Sequence, residues 1–327
     1  MSPQDDVQLV ANQGWDERVL VARCGPLVDA FIVVSRRYVV IVDTLINPQT
    51  ATAMLSAAQE YLRGDRRLLV VNTHADFDHC WGNQIFAGPA ALHPAPIIAS
   101  RQCAEQFRSP EAKPFLEQMQ AREPERFGEV QFAPPTVLFD ERLTIDGGDL
   151  TLDLFATPGH SPDHISAYIP ETGVLLAGDA AEAPYPSARS VASLPALRKS
   201  LPPEDGDCSV ERMIALDPTH ALYCHAPVTL GAPLLRYNQQ YFDVLEQRCK
   251  AALERGLAAQ LGVPPTDGDY LESDDVEALV GCSFKAAIPA SLDTAELHEF
   301  YRTAGHRAQL RMMLEHLGSQ QFQGRIT

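Results

Sequence analysis

The chain has 327 residues, of which 43 are acidic and 26 are basic, so its formal net charge is -17. Nucleic acid is therefore not the expected partner, because binding it requires cationic groups that displace counterions. A hydrophobic content of 45% is that of an ordinary globular protein, and no apolar stretch is long enough to cross a membrane. The start of the chain has neither the basic nor the apolar region of a secretory signal, and its seven cysteines form no CxxC pair, so we expect a cytoplasmic protein with reduced thiols.

Strands are predicted for the beginning of the chain, where apolar or β-branched runs cover 18–24, 30–35 and 38–43. Residues 47–61 have the composition of a helix, with Pro48 near its start, where a missing N–H costs little. A short apolar run at 68–72 follows a charged stretch and is typical of a buried strand. The segment 101–127 is predicted to be mainly helical.

Strands return in the middle of the chain, at 137–139, 150–156, 164–169, 174–177 and 221–224. The remainder is predicted to be helical, with an apolar face over 233–255 and a second helix over 293–317 that begins in a capping-box-like sequence. Loops are expected at 202–207 and 262–269. The chain therefore divides into an α/β part, residues 1–230, and a helical extension, residues 231–327.

Four potential metal ligands follow the strand at 68–72: His74, Asp76, Asp78 and His79. Imidazole together with carboxylate suits zinc, iron or manganese. A solvated polar loop is the alternative interpretation, but such a loop rarely concentrates two of only ten histidines beside two aspartates. We therefore predict a metal site where this strand ends.

Three further strands end in a residue that can bind a metal. The Pro158-Gly159 turn presents His160 at the edge of a loop, Asp179 follows the run at 174–177, and His225 follows the run at 221–224. Each signal is weak alone, and Asp179 by itself would be a simple turn or helix cap. Their repetition favours one shared site. His164 is predicted to support that site by hydrogen bonding, as partners of metal-bound histidines do.

This ordered set resembles the metallo-β-lactamase superfamily, whose first motif is His-x-His-x-Asp-His, and the resemblance covers roughly residues 15–230. It implies an α/β fold, a four-layer αββα sandwich with metals at one edge, and makes 1–230 the catalytic domain. The site residues that it implies are His74 and His160 on the first metal, Asp78, His79 and His225 on the second, Asp179 as the bridging carboxylate and Asp43 as a support behind the site.

Asp76 departs from the motif, because the family usually has a third histidine at this position. A carboxylate is a harder ligand, and it moves the preference from zinc toward iron or manganese. Flavodiiron proteins similarly have a glutamate here, but they carry a flavodoxin domain for which this chain has no motif. Aspartate is one methylene shorter than glutamate. Whether Asp76 is a ligand therefore stays open, and so does the choice between two divalent metal ions and only one that is tightly bound.

The leading hypothesis is a metal-dependent hydrolase of a small ester, thioester, lactone or phosphodiester, since most of the superfamily hydrolyses. Two metals that share a water lower its pKa, so hydroxide would attack the substrate while Asp78 and Asp179 orient it. Tyr185 is a candidate for substrate contact, although a packed loop aromatic is the favoured interpretation.

Two other hypotheses remain. His74, His160 and Asp179 form a two-histidine, one-carboxylate set of the kind that non-haem iron enzymes use, and persulfide dioxygenases resemble this arrangement on the same fold. A non-catalytic protein with a degraded site is the third, and Asp76 alone suggests it. The helical extension is interpreted either as additional packing on the core, or as a cap or an oligomerisation element through which the chain forms a homo-oligomer.

Overall fold

The computed structural model describes residues 5–89, 91–197, 209–257, 275–292 and 299–323. Its first compact unit comprises residues 1–158, 162–179 and 217–232, and its second comprises 159–161, 180–216 and 233–327. The boundary that the sequence predicts after residue 230 lies close to the junction at 232, whereas 180–216 joins the second unit. The division into a catalytic domain and a helical domain stays a prediction.

Two β-sheets form the first unit. The seven-stranded sheet runs in the order β1 to β7: Val7–Leu9, Val19–Cys24, Val28–Val34, Tyr38–Val42, Arg67–Val71, Ile97–Ser100 and Val137–Phe139. Its first four strands are antiparallel, and β4 to β7 are parallel. The five-stranded sheet has the order β12-β11-β10-β9-β8, with β8 Arg142–Asp146, β9 Thr151–Ala156, β10 Ile165–Ile169, β11 Val174–Gly178 and β12 His220–Tyr223. Only β11 and β12 are parallel among its pairs.

The two sheets share one hydrophobic core, to which Phe31 and Ile41 contribute from the first sheet and Leu154 and Leu176 from the second. Every residue of β3 and of β11 is buried, as is typical of strands with both faces covered, and the one charged residue among them, Asp29, is paired with Arg23 at 2.7 Å. This face-to-face arrangement confirms the predicted α/β sandwich.

The helices of the first unit are α1 Pro48–Gln59, α2 Phe77–Cys80, α3 Arg101–Gln106, α4 Ala112–Arg122 and α5 Pro124–Phe127. Asn47 caps α1, since its side chain accepts a hydrogen bond from the backbone N–H of Thr50, and Pro48 occupies the first helical position. The predicted helix at 47–61 is therefore confirmed. Short 3-10 turns lie at Asn83–Ile85 and Val228–Leu230.

The second unit is helical around a core of its own, built from side chains such as Leu245, Leu310 and Leu314. Its elements are a 3-10 turn at Val191–Ser193, α6 Leu194–Leu197, α7 Ser209–Ala215, α8 Pro233–Glu254, α9 Val276–Val280, α10 Phe284–Ala287, a π-helix at Tyr301–Gly305 and α11 His306–Gln323. These elements confirm a helical C-terminal segment. The capping-box sequence at 293–296 and the loops predicted at 202–207 and 262–269 lie outside the described residues.

None of the helices in the described ranges is long and apolar enough to span a bilayer. Assembly through the C-terminal helices stays a prediction.

Candidate metal centre

The predicted ligands of the first unit come from loops at the carboxyl ends of its strands. His74, Asp76 and the first residues of α2 follow β5, while Asp179 and His225 follow β11 and β12. Because β11 is paired with β12 in parallel, these two strands end at the same edge of their sheet. The fold thus gathers side chains that are far apart in sequence.

Two aspartates and two histidines form the centre of this cluster. The Asp179 carboxylate oxygen Oδ2 lies 3.2 Å from Nε2 of His79 and 3.3 Å from Nε2 of His225. Asp78 lies 3.4 Å from Nε2 of His225 and 3.8 Å from Nε2 of His79. One potential ligand atom from each of Asp78, His79 and His225 falls within 4.8 Å of the others. Such a spacing allows a single cation to contact all three.

Asp76 and His74 lie next to this group. Nε2 of His74 is 3.6 Å from Asp179 Oδ2 and 3.2 Å from Asp76 Oδ2. The His74 side chain is fully buried, whereas that of Asp76 is 18% exposed. The short Asp76 side chain thus reaches the imidazole nitrogen of a predicted first-metal ligand.

Asp43 supports the histidines from behind. Its carboxylate accepts hydrogen bonds from the backbone N–H and from the hydroxyl of Thr73, both at 2.7 Å, and its Oδ2 lies 2.9 Å from Nδ1 of His79. A carboxylate oxygen accepts hydrogen bonds, so Nδ1 of His79 carries a proton toward Asp43 and Nε2 is the ring atom that faces Asp179. Asp43 has a φ of 67°, a strained conformation for a non-glycine residue that the surrounding hydrogen bonds hold in place.

His164 holds the Asp179 loop. Its Nε2 accepts a hydrogen bond from the Asp179 backbone N–H at 2.9 Å, and its Nδ1 lies 2.8 Å from the hydroxyl of Thr157. Both ring nitrogens are therefore engaged within the protein, which supports the predicted supporting role rather than a ligand role. Gly178 lies against this ring with a φ of 59°, and a Cβ there would come within 2.6 Å of His164 Nε2.

Burial and charge act in opposite directions on these groups. Burial alone would raise the pKa of the Asp179 carboxyl, but His225 and His79 outweigh it and hold that pKa well below its ordinary value. Burial likewise disfavours the ionised form of Asp78, and His79 together with His225 still lowers its pKa. Conversely, the carboxylates raise the pKa values of both imidazoles well above normal despite burial. The carboxylates are thus ionised at neutral pH, in the form that binds a cation.

The donor set fits a divalent metal. Nε2 of His79 is buried and makes no hydrogen bond to any described residue, although it faces Asp179 Oδ2 at 3.2 Å. A buried polar atom of this kind requires a partner. Imidazole nitrogens with carboxylate oxygens are the ligands of zinc, iron and manganese.

Two cysteines near the cluster are better explained by packing. The Cys224 sulfur lies 4.0 Å from Asp43 Oδ2 and groups with Asp43 and His79. Asp43 is already occupied by Thr73 and His79, which argues against a separate metal site there. Burial raises the pKa values of Cys224 and Cys80 well above normal, so both stay neutral thiols.

His160 and Tyr185 belong to the second unit. The His160 ring lies 3.1 Å from Glu182 Oε1 through Nδ1 and 2.9 Å from Arg189 Nη2 through Nε2. Its role as a ligand stays a prediction from the motif. Tyr185 is fully buried, stacks on Tyr241 and donates its hydroxyl to the Tyr301 carbonyl at 2.9 Å. This packed position, which the sequence favoured, argues against substrate contact by Tyr185.

Some residues that support the site were not predicted from the sequence. Thr73 links Asp43 to the neighbouring imidazole, since its hydroxyl lies 2.9 Å from Nδ1 of His74. Asp163, buried in the Pro162-Asp163-His164 sequence, accepts from the Ala75 backbone N–H at 2.8 Å and so holds the first loop. The only sequence signal for Asp163 was that it is an acidic residue beside His164, and it belongs to no recognisable motif.

The chain is similar to a known protein family. A family model described as the metallo-beta-lactamase superfamily matches residues 25–218, more than half of the chain. A search of the curated proteins found no significant match.

Solved structures include similar chains. A double mutant of the sec-alkyl sulfatase PisA1 has a TM-score of 0.57 at 16% identity, covering 95% of this chain and 50% of its own. The stereoselective inverting sec-alkylsulfatase Pisa1 from Pseudomonas sp. has a TM-score of 0.55 at 16% identity, with 94% and 50% covered. The metallo-beta-lactamase family protein TTHA1429 from Thermus thermophilus has a TM-score of 0.51 at 19% identity, with 97% and 94% covered. The chain thus spans about half the length of the alkylsulfatases, and at these identities the likeness concerns the fold.

Proposed function

The chain belongs to the metallo-β-lactamase superfamily, and on that premise we propose that it is a metal-dependent hydrolase of a small ester, thioester, lactone or phosphodiester. One observation carries the proposal. At one edge of the sandwich, the carboxylate oxygens of Asp78 and Asp179 lie 3.2 to 3.8 Å from Nε2 of His79 and of His225. Burying two carboxylates beside two imidazoles is energetically costly, and such clusters are concentrated at functional sites.

We expect the metal ions to occupy two positions. Asp78, His79 and His225 would hold one, His74 and Asp76 would hold the other, with His160 added from the sequence motif, and Asp179 would be shared. Divalent metals bound there would lower the pKa of a shared water and stabilise negative charge that develops on the substrate. The carboxylate of Asp76 favours iron or manganese over zinc at the first position.

The two aspartates would have different tasks. Asp179 is 2% exposed and its Oδ2 faces three imidazoles, so it serves as a fixed, ionised ligand. The Asp78 side chain is 10% exposed, so a water in the site can reach it. Asp78 would therefore orient the attacking water and accept its proton at a carboxylate oxygen. Asp43 keeps His79 in the tautomer that presents Nε2.

The iron oxygenase alternative is not favoured. A mononuclear non-haem iron enzyme uses two histidines and one carboxylate. Here Asp78, His79 and His225 add further ligand-type atoms beside His74 and Asp179, two members of the predicted set. A second group of ligands fits a two-metal hydrolase better.

The test starts from protein purified without added metal. Elemental analysis identifies the metal, and a panel of esters, thioesters, lactones, phosphodiesters and secondary alkyl sulfate esters is then assayed with that metal. The sulfate esters enter because of the fold that the alkylsulfatases share with this chain. We expect oxygen-independent hydrolysis of at least one class.

Variants make the test specific. Asp179→Ala should abolish hydrolysis and lower the bound metal, whereas Asp140→Asn, which alters a carboxylate that is 70% exposed, should leave both unchanged. Full activity or full metal occupancy in Asp179→Ala would overturn the proposal. Bound iron with thiol-dependent oxygen uptake would support the oxygenase instead.

A further inference from the structure

Glu182 is a buried carboxylate in the second unit, and its side chain is only 3% exposed. Oε2 accepts a hydrogen bond from the Tyr301 hydroxyl at 2.8 Å. The side chain of Asn238 holds the backbone, since its oxygen accepts from the Glu182 N–H at 3.1 Å and its amide donates to the Glu182 carbonyl at 2.8 Å. Burying a carboxylate is unfavourable unless it is paired, so the position of its second oxygen matters.

That second oxygen, Oε1, lies 3.1 Å from Nδ1 of His160. The two atoms are at ion-pair distance, although their angle is not that of a hydrogen bond, so the attraction between them is electrostatic. His160 is itself buried at 6% exposure. The two side chains therefore restrict each other's orientation.

Arg189 identifies the tautomer of His160. Its Nη2 lies 2.9 Å from His160 Nε2. A guanidinium only donates hydrogen bonds, so Nε2 must accept and carries the lone pair. The ring proton is then on Nδ1, on the side of Glu182. A histidine that binds a metal through Nε2 needs this same tautomer.

We propose that Glu182 is a positioning residue for the metal centre: its charge keeps the Nδ1–H side of His160 toward the carboxylate and leaves Nε2 as the atom that binds the first metal. The inference rests on the proposed function, because it takes His160 as a ligand. A carboxylate behind a metal-binding histidine fixes the ring and raises its basicity. The exposed Arg189 can turn toward solvent when a metal takes its place at Nε2.

Tyr301 extends this support into the C-terminal helices. It is the first residue of the π-helix Tyr301–Gly305, and π-turns are frequent at functional sites. Its hydroxyl fixes Glu182, which in turn faces His160. Through this contact the helical extension would contribute to metal binding. This role differs from the cap and from the oligomerisation element that the sequence suggests.

The experiment compares metal affinities. Glu182→Gln keeps the size of the side chain and an acceptor for Tyr301 but removes the charge, and Tyr301→Phe removes the hydroxyl that fixes Glu182. Tyr241→Phe is the matched control, because it deletes a buried hydroxyl of the same unit that faces His306 at 2.9 Å instead. Each full-length protein is stripped with a chelator and titrated with Zn(II) and Mn(II) alone, and the thermal unfolding of the metal-free form is recorded.

We expect Glu182→Gln to weaken the affinity of one metal by about 10- to 100-fold, with a smaller loss in Tyr301→Phe and none in Tyr241→Phe. The Tm of metal-free Glu182→Gln should stay close to that of the wild type. In a His160→Ala background, adding Glu182→Gln should change the affinity no further, a result that a merely structural role would not produce.

The outcomes are separable. If the wild type binds metal and Glu182→Gln binds it equally well, the inference fails while the proposed function stands. If the wild type binds no metal, the proposed function fails and the inference with it. If Glu182→Gln does not fold, the comparison of Tyr301→Phe with Tyr241→Phe decides, and equal affinities there overturn the inference.

Discussion

The carboxylate of Asp43 lies 2.9 Å from Nδ1 of His79, and the imidazole that it holds turns its other nitrogen toward Asp179. Asp43→Asn should weaken metal binding about 10- to 100-fold, because a neutral amide no longer raises the basicity of the imidazole. Titration of the chelator-treated protein with the metal found by elemental analysis measures this loss.

A second buried carboxylate of the first unit supplies the control. Asp5, with a side chain that is 4% exposed, is paired with Arg126 at 2.7 Å, and Asp5→Asn should lower the stability without changing the metal affinity. An equal loss of metal in both variants would assign the effect to general destabilisation and remove Asp43 from the support of the site.

Asp76 is expected to set the choice of metal. Its carboxylate lies 3.2 Å from Nε2 of His74, where the superfamily motif usually has a histidine. Asp76→His should increase the ratio of bound zinc to bound manganese or iron, since imidazole suits zinc better than a carboxylate does. Elemental analysis after exposure to an equimolar mixture of the metals checks this, with Asp140→Asn as the surface control. An unchanged ratio would mean that Asp76 is not a ligand.

Several strands could be predicted from the sequence to within about two residues. Those at 18–24, 38–43 and 68–72 are apolar runs bounded by turns, and the structure has them as β2, β4 and β5. The missed strand β6 is fully buried between β5 and β7, but its four residues are too few to show a period. The other missed strands, β1 and β8, are at the ends of their sheets, with residues that are mostly exposed or half-buried. Pairing with a neighbour, rather than their own apolar pattern, makes them strands.

The candidate ligands of the first unit were also predictable, because each lies in a segment that follows a strand and the fold brings the strand ends together. The residues that support these ligands were less predictable. Thr73, Asp163 and Glu182 act through contacts that only the tertiary structure creates, and no local spacing marks them. Asp43 was expected only through the resemblance to a family. Such residues become visible when buried polar atoms are assigned to their partners.

Gly178 should tolerate no side chain. A Cβ at this position would come within 2.6 Å of Nε2 of His164, the group that holds the Asp179 backbone. Gly178→Ala should therefore destabilise the protein by about 1–3 kcal/mol through overpacking, in addition to the backbone strain, and should weaken metal binding. Chemical denaturation and metal titration measure the two effects.

Gly64→Ala isolates the contribution of that contact. Gly64 has a φ of 68°, similar to the 59° of Gly178, but a Cβ there would have nothing within 4 Å. Both variants carry the strain of a left-handed alanine, about 1–2 kcal/mol, while only Gly178→Ala displaces His164. Equal losses of stability and unchanged metal affinity in the two variants would show that the His164 contact has no effect on the site.

His306 should make the stability of the protein depend on pH. The buried ring donates from Nε2 to the Cys282 carbonyl at 3.0 Å, and its Nδ1 faces the hydroxyl of Tyr241 at 2.9 Å. Burial lowers its pKa below the ordinary 6.5, so the unfolded chain takes up a proton at a higher pH than the folded protein does. The stabilisation by neutral His306 is therefore fully present above pH 6.5 and is lost as the pH falls through the lowered pKa.

As the pH of the chelator-treated protein falls from 6.5 to 5, the wild type should lose more free energy of unfolding than His306→Gln, or gain less, because glutamine does not titrate. The raised pKa values of His79 and His225 act in the opposite direction but contribute equally to both proteins. The slope of the unfolding free energy against pH is the measurement, so a lower absolute stability of the variant does not affect the conclusion. His93→Gln, which changes an exposed histidine, should keep the slope of the wild type. The same slope in His306→Gln as in the wild type would mean that His306 binds its proton equally well in the folded and unfolded states, and that burial does not disfavour its charged form.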